Sequence, residues 1–156
     1  MAKPTKRQAA EVDSESAQQK AAKTARWAIT ETKVRIRRIT ARTRWELVEF
    51  RGRKGGESVG IVDLLAVRKD HRPKTHSLKR GDALQIVLIQ VKGGGAAMPN
   101  DDDARRLRAV GRRHRAEHLL LALWKKGKQA EFLKLIARNH GQYAWGEIDD
   151  LRTIFR

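Results

Sequence analysis

The stretch that most constrains the fold is Ala83-Leu-Gln-Ile-Val-Leu-Ile-Gln90-Val-Lys92-Gly-Gly-Gly95. A short apolar run bounded by glycines reads as a strand, here Leu84 to Val91. A second run, Gly60-Ile-Val-Asp63-Leu-Leu-Ala-Val67, reads as another strand from Ile61 to Val67. Both carry polar residues where a plain core has none: Asp63 inside one, Gln90 and Lys92 at the exit of the other. Strand residues two apart share a face, so Gln90 and Lys92 point the same way and Val91 points into the opposite layer. If Asp63 lies on the neighbouring strand at similar height, three polar groups converge at one sheet edge.

The other elements fall around these two. Residues 1–23 are rich in Ala, Gln, Lys and Ser and poor in large apolar side chains. They read as a disordered or loosely helical basic and polar tail, because they cannot bury enough surface to offset ordering entropy. The domain proper is expected over residues 24–156. From Thr24 to about Arg42 a basic helix would set Ile29, Ile36 and Ile39 on one stripe, although Val34 and Ile36 also alternate as in a strand. Trp45 to Phe50 reads as a strand, Arg51 to Gly56 as a basic turn, and residues 69–82, with Pro73 and Gly81, as a loop. Pro99-Asn-Asp101 supplies a breaker and an N-cap for a helix to about Arg115, with Ala104, Leu107 and Val110 inward. His118 to Trp124 and Glu131 to Ile136 read as strands about a turn at Lys125 to Lys128. Trp145 to Phe155 is predicted to close the chain as a helix, with Ile148, Leu151 and Ile154 inward. The class is α/β: a mixed central sheet flanked by helices.

Composition narrows the function. Thirty-five Lys and Arg against 18 Asp and Glu give a formal charge of +17. Such a field attracts polyanions, and counterion release favours nucleic acid with little regard to sequence. An acidic protein partner is the alternative. With no cysteine, disulfides and zinc-thiolate sites are excluded and a reducing compartment fits. No apolar run approaches a membrane span, and the N-terminus lacks a signal-peptide core, so a cytoplasmic location is expected.

A carboxylate and an amide oxygen at one strand edge can ligate a hard divalent cation such as Mg²⁺ or Mn²⁺, and the Val91 carbonyl could add a third oxygen. Lys92 would then orient or deprotonate a water, or meet charge on a phosphate. With Gly60-Ile-Val-Asp63 as first half and Gln90-Val-Lys92 as second, the chain resembles the PD-(D/E)xK nuclease superfamily, which includes restriction-type endonucleases and Holliday junction resolvases. The resemblance covers roughly residues 25 to 136. It implies a restriction-endonuclease-like αβββαβ core and a metal-dependent nuclease acting on DNA, with Asp63, Gln90 and Val91 at the metal and Lys92 serving the water. In that family a glutamate of the first core helix often completes the site. Glu31 is best placed for it, with Glu46 or Glu49 next if the helix extends. Nucleases of this shape often form homodimers. Gln90 departs from the family pattern, since an acid usually stands there and a neutral ligand holds a dication less well.

Two further basic groups offer phosphate contacts. The helix carries Arg105, Arg106, Arg108, Arg112, Arg113 and Arg115 with few acids to pair them, and Arg53 and Lys54 sit in the glycine turn. Asp101 to Asp103 reads as helix capping rather than ligation. The histidines lack paired-ligand spacing, and no phosphate loop is present. The four tryptophans read as packing. Two other readings stay open: a nucleic-acid-binding module on the same fold without hydrolysis, and an adaptor whose basic face meets an acidic protein.

Overall fold

The computed structural model describes residues 6–52, 60–72, 77–138 and 141–156. Its elements are α1 (Lys6–Thr40), β1 (Glu46–Glu49), β2 (Leu64–Lys69), β3 (Leu84–Gly93), α2 (Asp101–Arg113), β4 (His118–Trp124), β5 (Glu131–Ala137) and β6 (Tyr143–Glu147), followed by a 3-10 turn, Leu151–Thr153. The strands form one sheet in sequence order. Neighbours are antiparallel except β3 and β4, which run parallel and therefore need the α2 crossover between them.

That parallel pair explains the long apolar run. β3 lies inside the sheet with a helix layer on each face. On the α1 face, Ile36, Leu64, Ala66, Val87, Ile89, Leu120, Ala122 and Phe132 form the larger core. On the α2 face, Ile61, Leu88, Ala104, Leu107, Leu119 and Leu135 form the smaller one. The helix stripes fall as expected: Ile29 and Ile39 pack beside Ile36, and Val110 packs beside Leu107. Asn100 caps α2 by accepting from the Asp103 N–H at 2.8 Å, which leaves the three aspartates in the first turn beside the helix dipole.

Three segments differ from expectation. The strand expected from Ile61 begins at Leu64, so Asp63 stands just before β2 rather than inside it. The helix expected from Thr24 begins at Lys6, so residues 6–23 are helical and continuous with the packed part of α1. The predicted C-terminal helix is absent. Tyr143–Glu147 is instead the edge strand β6, paired with β5, and only the short turn after it is helical. Ile148, Leu151 and Ile154 do point into the α1-side core. Their three-residue spacing imitates a helix, but the residues before them pair with β5, where the missing Cβ of Gly146 leaves room for the Ile136 side chain. Asp150 then caps the turn through the Arg152 N–H at 2.9 Å.

The chain end is anchored to its beginning. Phe155 is fully buried and meets the Trp45 ring edge-on at 5.2 Å, while Trp45 Nε1 donates to the Phe155 carbonyl at 3.1 Å. At the opposite end of the sheet from Asp63, Asp70 is 1% exposed. Its carboxylate accepts from the Arg72 N–H at 2.9 Å and from the Arg72 guanidinium at 2.9 and 2.8 Å. Arg72 also pairs with Glu117, which accepts from Gln85 Nε2 at 3.3 Å. This chain ties the end of β2 to β3 and to the entry of β4.

Both long helices are followed by an arginine in left-handed conformation, Arg44 at φ 52° and Arg115 at φ 53°. Glycine normally takes such positions because a Cβ crowds the backbone there. Arg115→Gly is accordingly expected to raise the melting temperature by about 2 °C, read by calorimetry. Among the described residues no helix is long and apolar enough to cross a membrane.

Candidate functional site

The ladder between β2 and β3 has its last pair at Leu64 and Ile89. One step beyond, the Asp63 N–H still donates to the Ile89 carbonyl at 3.0 Å. The Asp63 carboxylate then accepts from the Val91 N–H at 2.7 Å, where a partner strand would have offered a carbonyl. The two strands begin to part at this point. Within an extended strand a residue's N–H and C=O face the same side, so the Val91 carbonyl also faces the fork.

The Asp63 N–H reaches the carbonyl of Ile89, the residue already paired with Leu64, so the register slips here and Asp63 stands against Ile89 rather than opposite Gln90. Gln90 lies on the α2 face with Leu88, and Lys92 follows two residues along the same face. Gln90 is 5% exposed, and its Oε1 has no hydrogen-bond partner among the described residues. A buried carbonyl oxygen left this way costs about 1–3 kcal/mol. Lys92 is half-buried. The structure thus brings Asp63 and the Val91 backbone to one fork, with the Gln90 and Lys92 side chains on the α2 face of the adjoining strand.

The glycines after Lys92 have a packing reason. A Cβ on Gly93 would lie 2.8 Å from the Ala28 Cβ and 3.2 Å from the Thr24 carbonyl, and Gly94 has φ 64°. Only a bare backbone lets α1 settle against the end of β3. Glu31, three residues beyond Ala28, is half-buried on this helix, which covers the face of the sheet opposite Gln90 and Lys92. Glu49 is engaged elsewhere. It pairs with Lys33 at 2.8 Å and Arg51 at 2.8 Å, and the Arg51 hydrogen bond, helped by Lys33, holds its carboxyl below the usual range despite opposing burial. Glu46 is exposed at the other end of β1. Among the described residues no three carboxylate or imidazole side chains group as a metal cage.

The α2 arginines divide. Arg105 pairs with Asp102, and Arg106 lies 3.8 Å from Asp103, so two of the six have acids on their own helix. Arg105, Arg106, Arg112, Arg113 and Arg115 are exposed, whereas Arg108 is half-buried with its Nε unpartnered. Arg53 and Lys54 lie outside the described residues. Sequence reasoning missed a third basic group, where Arg42, Arg44, Arg68 and Lys69 line one cleft. Its only signal was the density of arginine around residue 42.

No protein-family model matches the chain, and no curated protein is recognisably similar to it.

The fork fits a hard cation on its own chemistry. Its donors are a carboxylate, an amide oxygen and a backbone carbonyl, and one of them is a buried oxygen lacking a hydrogen-bond donor. This makes Gln90→Leu informative. The substitution removes an orphaned acceptor at similar volume, so the melting temperature should rise by about 2–4 °C. Any stabilisation by added Mg²⁺ should vanish with it. A fall in melting temperature would mean that Gln90 is satisfied where it stands.

Proposed function

We propose that this domain is a metal-dependent nuclease hydrolysing the phosphodiester bonds of DNA. The observation that carries the reading is the buried, unpartnered Gln90 Oε1, which shares its strand with Lys92 and adjoins the Val91 N–H that holds the Asp63 carboxylate. Support comes from the element order, which is the αβββαβ order that the resemblance to the PD-(D/E)xK superfamily implies, and from the charge of +17. Asp63, Gln90 and the Val91 carbonyl would hold Mg²⁺ or Mn²⁺. A cation bound there supplies Lewis acidity to the phosphodiester. Asp63 orients itself through the Val91 N–H, which fixes one carboxylate oxygen and so the direction of the other. Lys92 presents its ammonium to the attacking water and to charge developing on the phosphate. The exposed arginines of α2 contact the phosphate backbone, while Glu31, on the helix covering the opposite face, is left out of the site.

A second reading is a nucleic-acid-binding module on the same fold without hydrolysis. It is favoured by the neutral Gln90 and by the hydrogen bond that already engages one Asp63 oxygen. Incubation with supercoiled plasmid and with a branched junction, in Mg²⁺, in Mn²⁺ and in chelator, separates the two. Strand breaks that need the cation are expected. DNA binding with no breaks under any of these conditions would establish the module instead.

A further inference from the structure

A cleft of about 740 Å³ lies at the far end of β2 from Asp63 and has no part in the chemistry above. Arg42 and Arg44 reach it from the segment after α1, Arg68 and Lys69 from the end of β2, and His71 from just beyond. Four permanent cations thus face one acid, Glu46. Asp70, the nearest buried carboxylate, is occupied by Arg72.

Two features mark this cleft as built rather than a chance run of basic residues. Arg68 is fixed before any ligand arrives: its Nε donates to Gln85 Oε1, and its guanidinium sits 4.7 Å from the Trp45 ring centroid. Immobilising a long cationic side chain in advance removes an entropy cost from binding. Arg44 occupies a left-handed backbone position at φ 52° that glycine would fill with less strain. The chain keeps a guanidinium there against its local conformational preference.

We propose that this cleft is a second phosphate-binding site that grips the backbone of a nucleic acid whose other end lies at Asp63 and Lys92. The proposal rests on the nucleic-acid reading above. From Asp63 to Lys69 the strand rises about 20 Å, the length of about six base pairs at 3.4 Å each. The two sites lie at opposite ends of β2, which β1 separates from the edge of the sheet. A nucleic acid passing along the direction of β2 meets the cation fork at one end and the arginine cleft at the other, which fixes its register over the fork.

The test is equilibrium binding of a fluorescent 20-base-pair duplex to the full chain, in chelator so that cleavage plays no part, over a range of salt. The double variant Arg44→Gly, Lys69→Ala is compared with the charge-matched Lys128→Ala, Arg152→Ala, which removes two cations from a different cleft. Removing one cation that touches a phosphate lowers the salt slope by about one. The first variant should therefore lose about two units of slope and about tenfold in affinity, while melting no lower than the parent. The second should keep the parental slope. Equal behaviour of the two variants overturns the proposal and leaves the nuclease reading standing. Failure of the parent to bind the duplex overturns both.

Discussion

Asp63→Asn should reduce cation-dependent strand cleavage by at least about a thousandfold while leaving the fold intact. Asparagine keeps a side-chain oxygen to accept from the Val91 N–H, the bond that closes the strand pairing at 2.7 Å. It removes the only formal negative charge among the three proposed cation ligands, and with Gln90 already neutral nothing there replaces it. Asp63→Ala would confuse the two roles, since it also strands a backbone donor in a half-buried place. Lys92→Ala tests the other half of the site. General acid–base and electrostatic groups typically contribute about 10²–10⁴-fold, and a loss in that range is expected. Neither variant should change duplex affinity in chelator by more than a few fold, because most of the phosphate-binding cations proposed lie elsewhere. Gel-based cleavage rates at saturating Mn²⁺, alongside melting curves, provide the measurement. Parental cleavage rates in both variants would remove the fork from the reaction.

The largest effect on stability is expected at a residue far from the chemistry. Arg72→Ala should lower the melting temperature measurably, because one partner of a pair with a buried carboxylate is lost. Arg72 is itself 58% exposed, so an ordinary surface ion pair would be worth far less. The difference lies in what it leaves behind. Asp70 is 1% exposed and would keep the backbone N–H at position 72 while both guanidinium hydrogen bonds disappear. Asp70→Asn should be much milder, since it removes the buried charge along with its partner's purpose. A denaturant titration comparing the two checks the asymmetry, and equal losses would locate the effect in packing instead.

The sheet was legible wherever one strand's own composition decided its fate. The run Leu84 to Val91 reads as a strand and the Ala104, Leu107 and Val110 stripe as a helix face, and both form as read. Errors came where a distant partner decided. Tyr143–Glu147 is a strand because β5 is beside it, and nothing within residues 143–155 announces that neighbour. The site divides in the same way. Gln90 and Lys92 share a face by alternation alone, but the height of Asp63 depends on register, and the slip that sets its N–H on Ile89 could not be read from residues 60–67. Whether Gln90 finds a hydrogen-bond donor depends on every element around it. The arginine cleft was invisible for the same reason, because two stretches of chain far apart in sequence supply its cations.

The parallel pairing of β3 with β4 also sets an order of events during synthesis. β1, β2 and β3 can pair as each emerges, but β3 then presents an open edge until residues 118–124 have followed it out. That edge carries Val87, Leu88 and Ile89, all buried in the finished domain. A strand so apolar and unpaired is an invitation to other chains. The nascent protein is therefore most vulnerable to aggregation in the interval between translating Val91 and translating Leu121.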